Sequence, residues 1–420
     1  MKIKSSKLNF KIKEQFTELA SLSVILLFLT GSANLTAQVS HKKGNETAYV
    51  VSDGSTYQAK ESFPKFSWNT TPMYYHFGDI DRVLKLEETK FIAQRTDFIS
   101  MEKSHGFRLL GDTVLGTKQE VEAFHKEKPG IKVLFYFNSF VAWPFTRFNK
   151  DLTPEGVASK KETTKFLVNN PKTGKLMEKT NGPAFTYYFD YLNPEFRKWW
   201  VEQAAEGVRA SGADGIFIDR MNPTGQSGYL PDRDIEIRNA KAEMMAGLRE
   251  KLGPNKIIVG NNAADNDAVF PYCDAFMFEH ANPAGVNKES LLQEWDDMLK
   301  IAKAGKMSIY RFGAKGKGKT DITIGATNTD GIEQKSKTQL EFHHACYLIG
   351  AQPYSYFQWN WGWNLEDGNL VDYPALNKPL GSPKGAYKRL TKEGWEFTRE
   401  YEHASVWVNT DTRKAKITWH

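Results

Sequence analysis

The chain has 420 residues, and its 40% hydrophobic content is too high for a disordered protein and enough for a large core. Two cysteines exclude a disulfide-stapled scaffold, and Cys273 and Cys346 each lie in an apolar stretch that suits a free, buried thiol. A net charge of +6 does not by itself separate an acidic partner from a lysine-rich surface; 13% aromatic residues with 11 Trp exceed what a core requires and suit stacking on sugar rings.

At the start, Lys2, Lys4, Lys7, Lys11 and Lys13 precede an apolar run over residues 19–30, and small residues follow up to Ala37-Gln38. This is the pattern of an export signal, since the run is shorter than the roughly 20 residues needed to cross a bilayer. No cysteine stands near the cut to carry a lipid, so no stable membrane anchor is expected. The expected organisation is a signal peptide over 1–37, a linker over 38–61 and one large domain over 62–420. The mature protein is expected in the periplasm or outside the cell.

From residue 62 onward, short apolar or β-branched runs alternate with longer amphipathic windows. Strands are expected at 73–77, 98–101, 132–137, 215–218, 256–260, 275–278, 307–310 and 354–357. Helices are expected at 82–95, 117–128, 193–210, 232–252, 288–304 and 334–349. The third of these opens on Asn193-Pro194-Glu195, a capping residue, a proline in the first turn and an acid that favours the helix dipole. Residues 139–191, rich in Lys, Asn and Thr, read as a long functional loop after the third strand.

Eight strands mostly separated by helices fit an α/β fold of the (β/α)8 TIM-barrel type, in which strand C-terminal ends build the site. A doubly wound open sheet fits less well, because no Gly-rich dinucleotide turn follows the first strand. Polar residues cluster where the barrel predicts them: Asp79, Glu102, Asn138, Asp219, Arg220, Asn261, Asn262, Glu279, His280, Arg311, Gln358 and Asn360 all stand at or just beyond strand ends.

Two of these are set for bond cleavage. Asp219 follows the apolar Gly215-Ile216-Phe217-Ile218, and Glu279 follows Ala275-Phe276-Met277-Phe278. Carboxylates at two strand ends of one barrel can flank a glycosidic bond, one attacking or activating water and the other, its pKa raised by burial and by the first charge, protonating the leaving oxygen. The alternative role for each is an ion pair at the barrel mouth, with Arg220 or Arg311. Glu102 is a supporting acid. His76, Asn138, Asn261, Asn262 and His280 suit sugar hydroxyls, and Trp143, Trp359, Trp361 and Gln358 with Asn360 suit a stacking rim.

Residues 313–320 spell a phosphate-loop pattern, but β-branched residues follow where a helix must begin, so no nucleotide is expected. Lys315, with Lys317 and Lys319, suits sulfate or carboxylate groups on a polymer as well as it suits a solvated loop. No zinc motif or nucleophile elbow occurs, and neither a metal, a cofactor nor a nucleic-acid partner is expected.

The Gly215-Ile216-Phe217-Ile218-Asp219 strand and the closing segments Pro379-Leu380-Gly381, Arg399-Glu400-Tyr401 and Val406 to Asn409 resemble barrel glycoside hydrolases over roughly residues 70–415. The chain is similar to glycoside hydrolase family 168, retaining endo-α-1,3-L-fucanases acting on sulfated fucan. The resemblance implies Asp219 as nucleophile and Glu279 as acid/base. A sulfated galactan or another anionic glycan, or a barrel that binds glycan without cleaving it, remains open on the residues alone.

Overall fold

The computed structural model describes residues 49–181, 184–222, 229–230, 232–280, 287–314 and 331–420. The segment expected as a signal peptide, residues 1–37, and Lys315, Lys317 and Lys319 lie outside them. Eight parallel strands close into a barrel in chain order: β1 (Met73–Phe77), β2 (Thr96–Met101), β3 (Lys132–Asn138), β4 (Gly215–Asp219), β5 (Ile257–Asn261), β6 (Ala275–Glu279), β7 (Met307–Gly313) and β8 (Ser355–Asn360). β8 pairs back onto β1 through Phe357 and Met73. This is the expected (β/α)8 barrel. Its strands are rich in apolar and aromatic residues because a parallel strand here has core on both faces. β1, β5 and β7 are buried throughout, and β4 and β6 are buried up to their last residues, Asp219 and Glu279.

The longer helices among the described residues are α1 (Leu86–Ala93), α2 (Thr113–Glu127), α3 (Pro194–Ser211), α4 (Asp234–Leu252), α5 (Lys288–Lys303) and α6 (Ile332–Gly350). α1 starts later than expected, because Arg82 is held in the preceding turn by Asp79 and Glu88. α2 starts earlier, at a cap the periodicity missed: the Asp112 side chain accepts from the amide of Val114. The β5–β6 connection has no α-helix and passes through a single 3-10 turn, Phe270–Tyr272.

α3 begins as its sequence dictates. The Asn193 side chain accepts from the amides of Glu195 and Phe196, and Pro194 fills the first helical position. Its buried face carries Phe196, Trp200, Ala204, Ala205 and Val208. At Gly207 a Cβ would meet the Phe135 ring at 2.2 Å, so only glycine lets α3 lie this close to β3. From this position the Trp200 indole donates to the carbonyl of Asn138, fixing the mouth end of β3 (3.0 Å).

Residues 139–191 contain an antiparallel hairpin, Glu178–Asn181 with Ala184–Tyr187. At the opposite end of the barrel, part of the stretch expected as linker joins the core. Tyr57 and Phe66 stack on the two sides of the Tyr354 environment at 4.7 and 4.8 Å. Both cysteines are free and buried, as expected.

Beyond the barrel strands, β9 (Lys388–Arg389), β10 (Glu396–Glu400), β11 (Ala404–Asn409) and β12 (Lys414–Trp419) form an antiparallel sheet against α6. Strict alternation along β11 buries Ala404, Val406 and Val408. Arg399 donates to the carbonyls of Leu348, Ile349 and Ala351, and the Tyr401 hydroxyl also donates to Leu348. These bonds satisfy the carbonyls that a helix end leaves open.

Candidate active site

Strand ends β3, β4, β5 and β6 bring Asn138, Asp219, Asn261 and Glu279 together. Asp219 Oδ2 accepts from the Tyr136 hydroxyl and from Asn138 Nδ2, both at 2.8 Å. Asn138 is oriented for this by its own Oδ1, which accepts from the amides of Phe140 and Val141. The Asn261 amide nitrogen then reaches both acids, 2.9 Å from Asp219 Oδ1 and 2.5 Å from Glu279 Oε2, so those two oxygens lie within 5.4 Å of each other. An amide nitrogen carries two hydrogens, one for each carboxyl. Asn262 supports the arrangement through its Oδ1, which accepts from the Glu279 amide. Arg220 and Asn262, next to Asp219 and Asn261, hold left-handed backbone (φ +71° and +50°) that turns the chain sharply at the mouth.

The two acids sit in different surroundings. Asp219 receives three hydrogen bonds, which fix both of its carboxyl oxygens in place. Burial, then the nearby Asp219 charge, raises the Glu279 pKa, against which Arg311 and the Asn261 bond pull it down. Burial and the Asp219 charge also push the Tyr136 hydroxyl well above its ordinary range, so it stays a donor.

Two cavities meet at the pair. The first, about 210 Å³, is walled by His76, Glu102, Lys103, Tyr136, Trp143, Lys179 and Trp363 and reaches Asp219 and Glu279. The second, about 240 Å³, is lined by Asn222, Asn262 and the same two acids. His76 forms the floor of the first; burial drives its imidazole pKa well down, with Lys103 and Arg311 adding to the effect. Neither of its ring nitrogens has a partner among the described residues. Glu102 pairs with Lys103 (2.5 Å), whose ammonium also lies over the Tyr136 and Trp143 rings.

A barrel with a carboxyl pair at its mouth is an arrangement many chemistries share, and the sequence family narrows it. Residues 125–405 match the family described as hypothetical glycosyl hydrolase family 15. The chain belongs to this family. The match covers β4, β5 and β6 with both acids, and it makes glycoside hydrolysis the class of activity and a glycan the class of substrate. It does not reach as far as the fucanase family. No curated protein matches the chain.

Among solved structures, the glycoside hydrolase domain of PelA from Pseudomonas aeruginosa is 15% identical, over 58% of this chain and 83% of that one, with a TM-score of 0.39. The α-amylase of Geobacillus thermoleovorans in complex with acarbose is 12% identical, over 82% and 88%, with a TM-score of 0.47. Ega3 of Aspergillus fumigatus with galactosamine is 14% identical, over 75% and 98%, with a TM-score of 0.41. Likenesses of this size carry no inference about site or substrate.

In this family member the expected site residues divide. His76, Glu102, Asn138, Trp143, Asp219, Arg220, Asn261 and Glu279 line the first cavity, and Asn262 lines the second. The others stand elsewhere. His280 follows Glu279 and so faces the opposite way: it stacks on Phe312 and pairs with Glu294 of α5. Arg311 is fully buried, donates to Asn360 Oδ1 and lies 4.2 Å from the Trp363 ring. Asn360 in turn donates to Asn369, and Gln358 donates to the carbonyl of His76. Trp359 points out of the barrel toward His343, and Trp361 lines a separate cavity with Asp79, Arg82 and Glu333.

Tyr136, Lys103 and Lys179 were not among the residues expected at the site. Tyr136 had a signal, because it stands two before Asn138 and shares its face of the strand. Lys179 had none, lying in a long loop whose hairpin the composition does not reveal.

Proposed function

We propose that the chain is a retaining, endo-acting glycoside hydrolase with Asp219 as nucleophile and Glu279 as general acid/base, and that its substrate is a sulfated fucan with α-1,3-L-fucosyl linkages. The observation that carries this reading is the Asn261 amide spanning the two acids, which keeps their facing oxygens within 5.4 Å. Retaining enzymes place their carboxyls about 5–5.5 Å apart, whereas inverting ones leave about 6.5–9.5 Å for a water.

Asp219 attacks the anomeric carbon as the glycosidic bond breaks, and the Glu279 proton passes to the leaving oxygen. Water then attacks the glycosyl ester, Glu279 takes the water's proton, and Asp219 is released as carboxylate. The unequal surroundings support these roles: three donors hold the attacking carboxyl in place, and burial suits an acid that keeps its proton. Cavities on both sides of the pair favour cleavage within a polymer. Fucan follows from the resemblance of the sequence to the fucanase family, and export suits a substrate too large to enter a cell.

Incubation with purified sulfated fucan, followed by reducing-end assay, tests the reading. New ends are expected from the native protein, none from Asp219→Asn and far fewer from Glu279→Gln. Release from a sulfated galactan instead would keep the acids and change the polymer. Binding without turnover on a panel of polysaccharides would remove the catalytic reading.

A further inference from the structure

Two rim residues, Asp79 just beyond β1 and Trp361 just beyond β8, serve neither cavity at the acids. They line a third, of about 640 Å³, with Arg82, Glu333, Glu366 and Asp367. The same two segments bound both the first cavity and the third: His76 and Trp363 line the first, Asp79 and Trp361 the third. The Gly78 amide donates to the Trp363 carbonyl (2.8 Å) and the Leu365 amide to Asp79 Oδ1 (3.1 Å), so these segments are stitched together.

The loop that carries Trp361 is tightly folded. The Trp361 amide donates to the Asp367 carbonyl (2.8 Å), and Asp367 Oδ2 accepts from the Asn364 amide (2.8 Å). Gly368, in left-handed backbone (φ +99°), packs so close to the indole that a Cβ there would meet the ring at 2.8 Å. These contacts leave Trp361 4% exposed, yet its indole N–H has no acceptor. An indole nitrogen can only donate, and a buried donor without a partner costs free energy that a ligand oxygen recovers.

The other walls offer the reverse. Asp79 pairs with Arg82 and Glu333 with Lys337, whereas Glu366 and Asp367 pair with no cation among the described residues. Nor, among those residues, are any three acids set to hold a metal ion. A lone donor and open carboxylate acceptors therefore line one cavity. A sugar hydroxyl both donates and accepts, so a ring bearing several of them satisfies both kinds of wall, while a sulfate only accepts and is repelled by the two carboxylates.

We propose that the third cavity is a second sugar site, which takes an unsulfated sugar unit through the Trp361 indole N–H and the Glu366 and Asp367 carboxylates. The site rests on the reading of the chain as a glycan-binding protein, but not on which polymer it cleaves. A position beside the first cavity suits a sugar chain held at two points, and it gives the expected rim tryptophan a role away from the reacting bond.

The indole N–H signals in proton–nitrogen NMR report on the two cavities separately, with Trp361→Phe and Trp363→Phe used to assign them. All proteins carry Asp219→Asn, so that no fragment is turned over. The probes are oligosaccharides of desulfated fucan and of desulfated galactan, and the same fragments after chemical persulfation. Glu366 is exposed, so Glu366→Ala is suited to removing one acceptor without disturbing the fold.

A saturable shift of the Trp361 signal is expected with at least one desulfated set. The affinity should fall about tenfold in Glu366→Ala, the factor for one hydrogen bond to a charged acceptor, and at least as far on persulfation. A Trp363 shift without one at Trp361 overturns the second site, as does an affinity unmoved by Glu366→Ala or by persulfation. A Trp361 shift without one at Trp363 keeps the second site and tells against the first cavity as the place of cleavage. No shift of either signal overturns both.

Discussion

The β3–β6 side of the barrel mouth and its β7–β8 side look alike in sequence, each offering polar residues directly after buried apolar strands, yet they are built for different purposes. On the β3–β6 side, Asp219 and Glu279 face two cavities and are joined through one amide. On the β7–β8 side, Arg311, Gln358 and Asn360 are buried and spend hydrogen bonds on Asn360, the His76 carbonyl and Asn369. A polar side chain at a barrel strand end is therefore chemistry only where its neighbours leave it facing open space. Where they do not, it props the reacting side from behind.

Substitutions on the two sides separate these roles. Asp219→Asn removes the proposed nucleophile, and loss of all measurable reducing-end release is expected. Glu279→Gln is expected to cost about 10²–10⁴ in kcat, the usual contribution of a general acid, and to abolish the basic limb of the pH profile. That limb should lie above the ordinary carboxylate range, because burial and Asp219 raise the Glu279 pKa and the acid works only while protonated. Tyr136→Phe leaves Asp219 with its Asn138 and Asn261 donors, and a fall in kcat of about tenfold with little change in KM is the expected result.

On the supporting side, Arg311→Met should lose about 2–3 kcal/mol in denaturant unfolding, from bonds made by a buried charged donor. It should also move the basic limb to higher pH, since the Arg311 charge is the largest of the effects that pull the Glu279 pKa down; an unmoved limb would break the link between the two sides. His280→Gln, at a side chain that lines neither cavity, is expected to lower stability and leave kcat unchanged. A fall in kcat as large as that of Tyr136→Phe would undo the division.

The barrel was legible because its strands are buried on both faces, and eight short runs rich in apolar and aromatic residues survive in the sequence from Met73–Phe77 to Ser355–Asn360. The acid pair was legible for the same reason, as the first charges after dry strands. Direction was harder. His280 and Trp359 adjoin inward-facing residues and so point outward, a consequence of two-residue alternation that was available and went unused. The closing sheet β9–β12 could not be told from a barrel segment by apolar content alone, since its purpose is to cover α6 through Arg399 and Tyr401. The Lys179 placement depends on a hairpin folding back over the mouth, a long-range contact that local pattern does not encode.

The central claim is that Asp219 and Glu279, held together by Asn261, cleave with retention. Proton NMR of the first sugar ends released from fucan, read before mutarotation, tests it most directly. Ends that first appear with the α configuration of the cleaved linkage are predicted. Ends that first appear as β would contradict a covalent intermediate on Asp219.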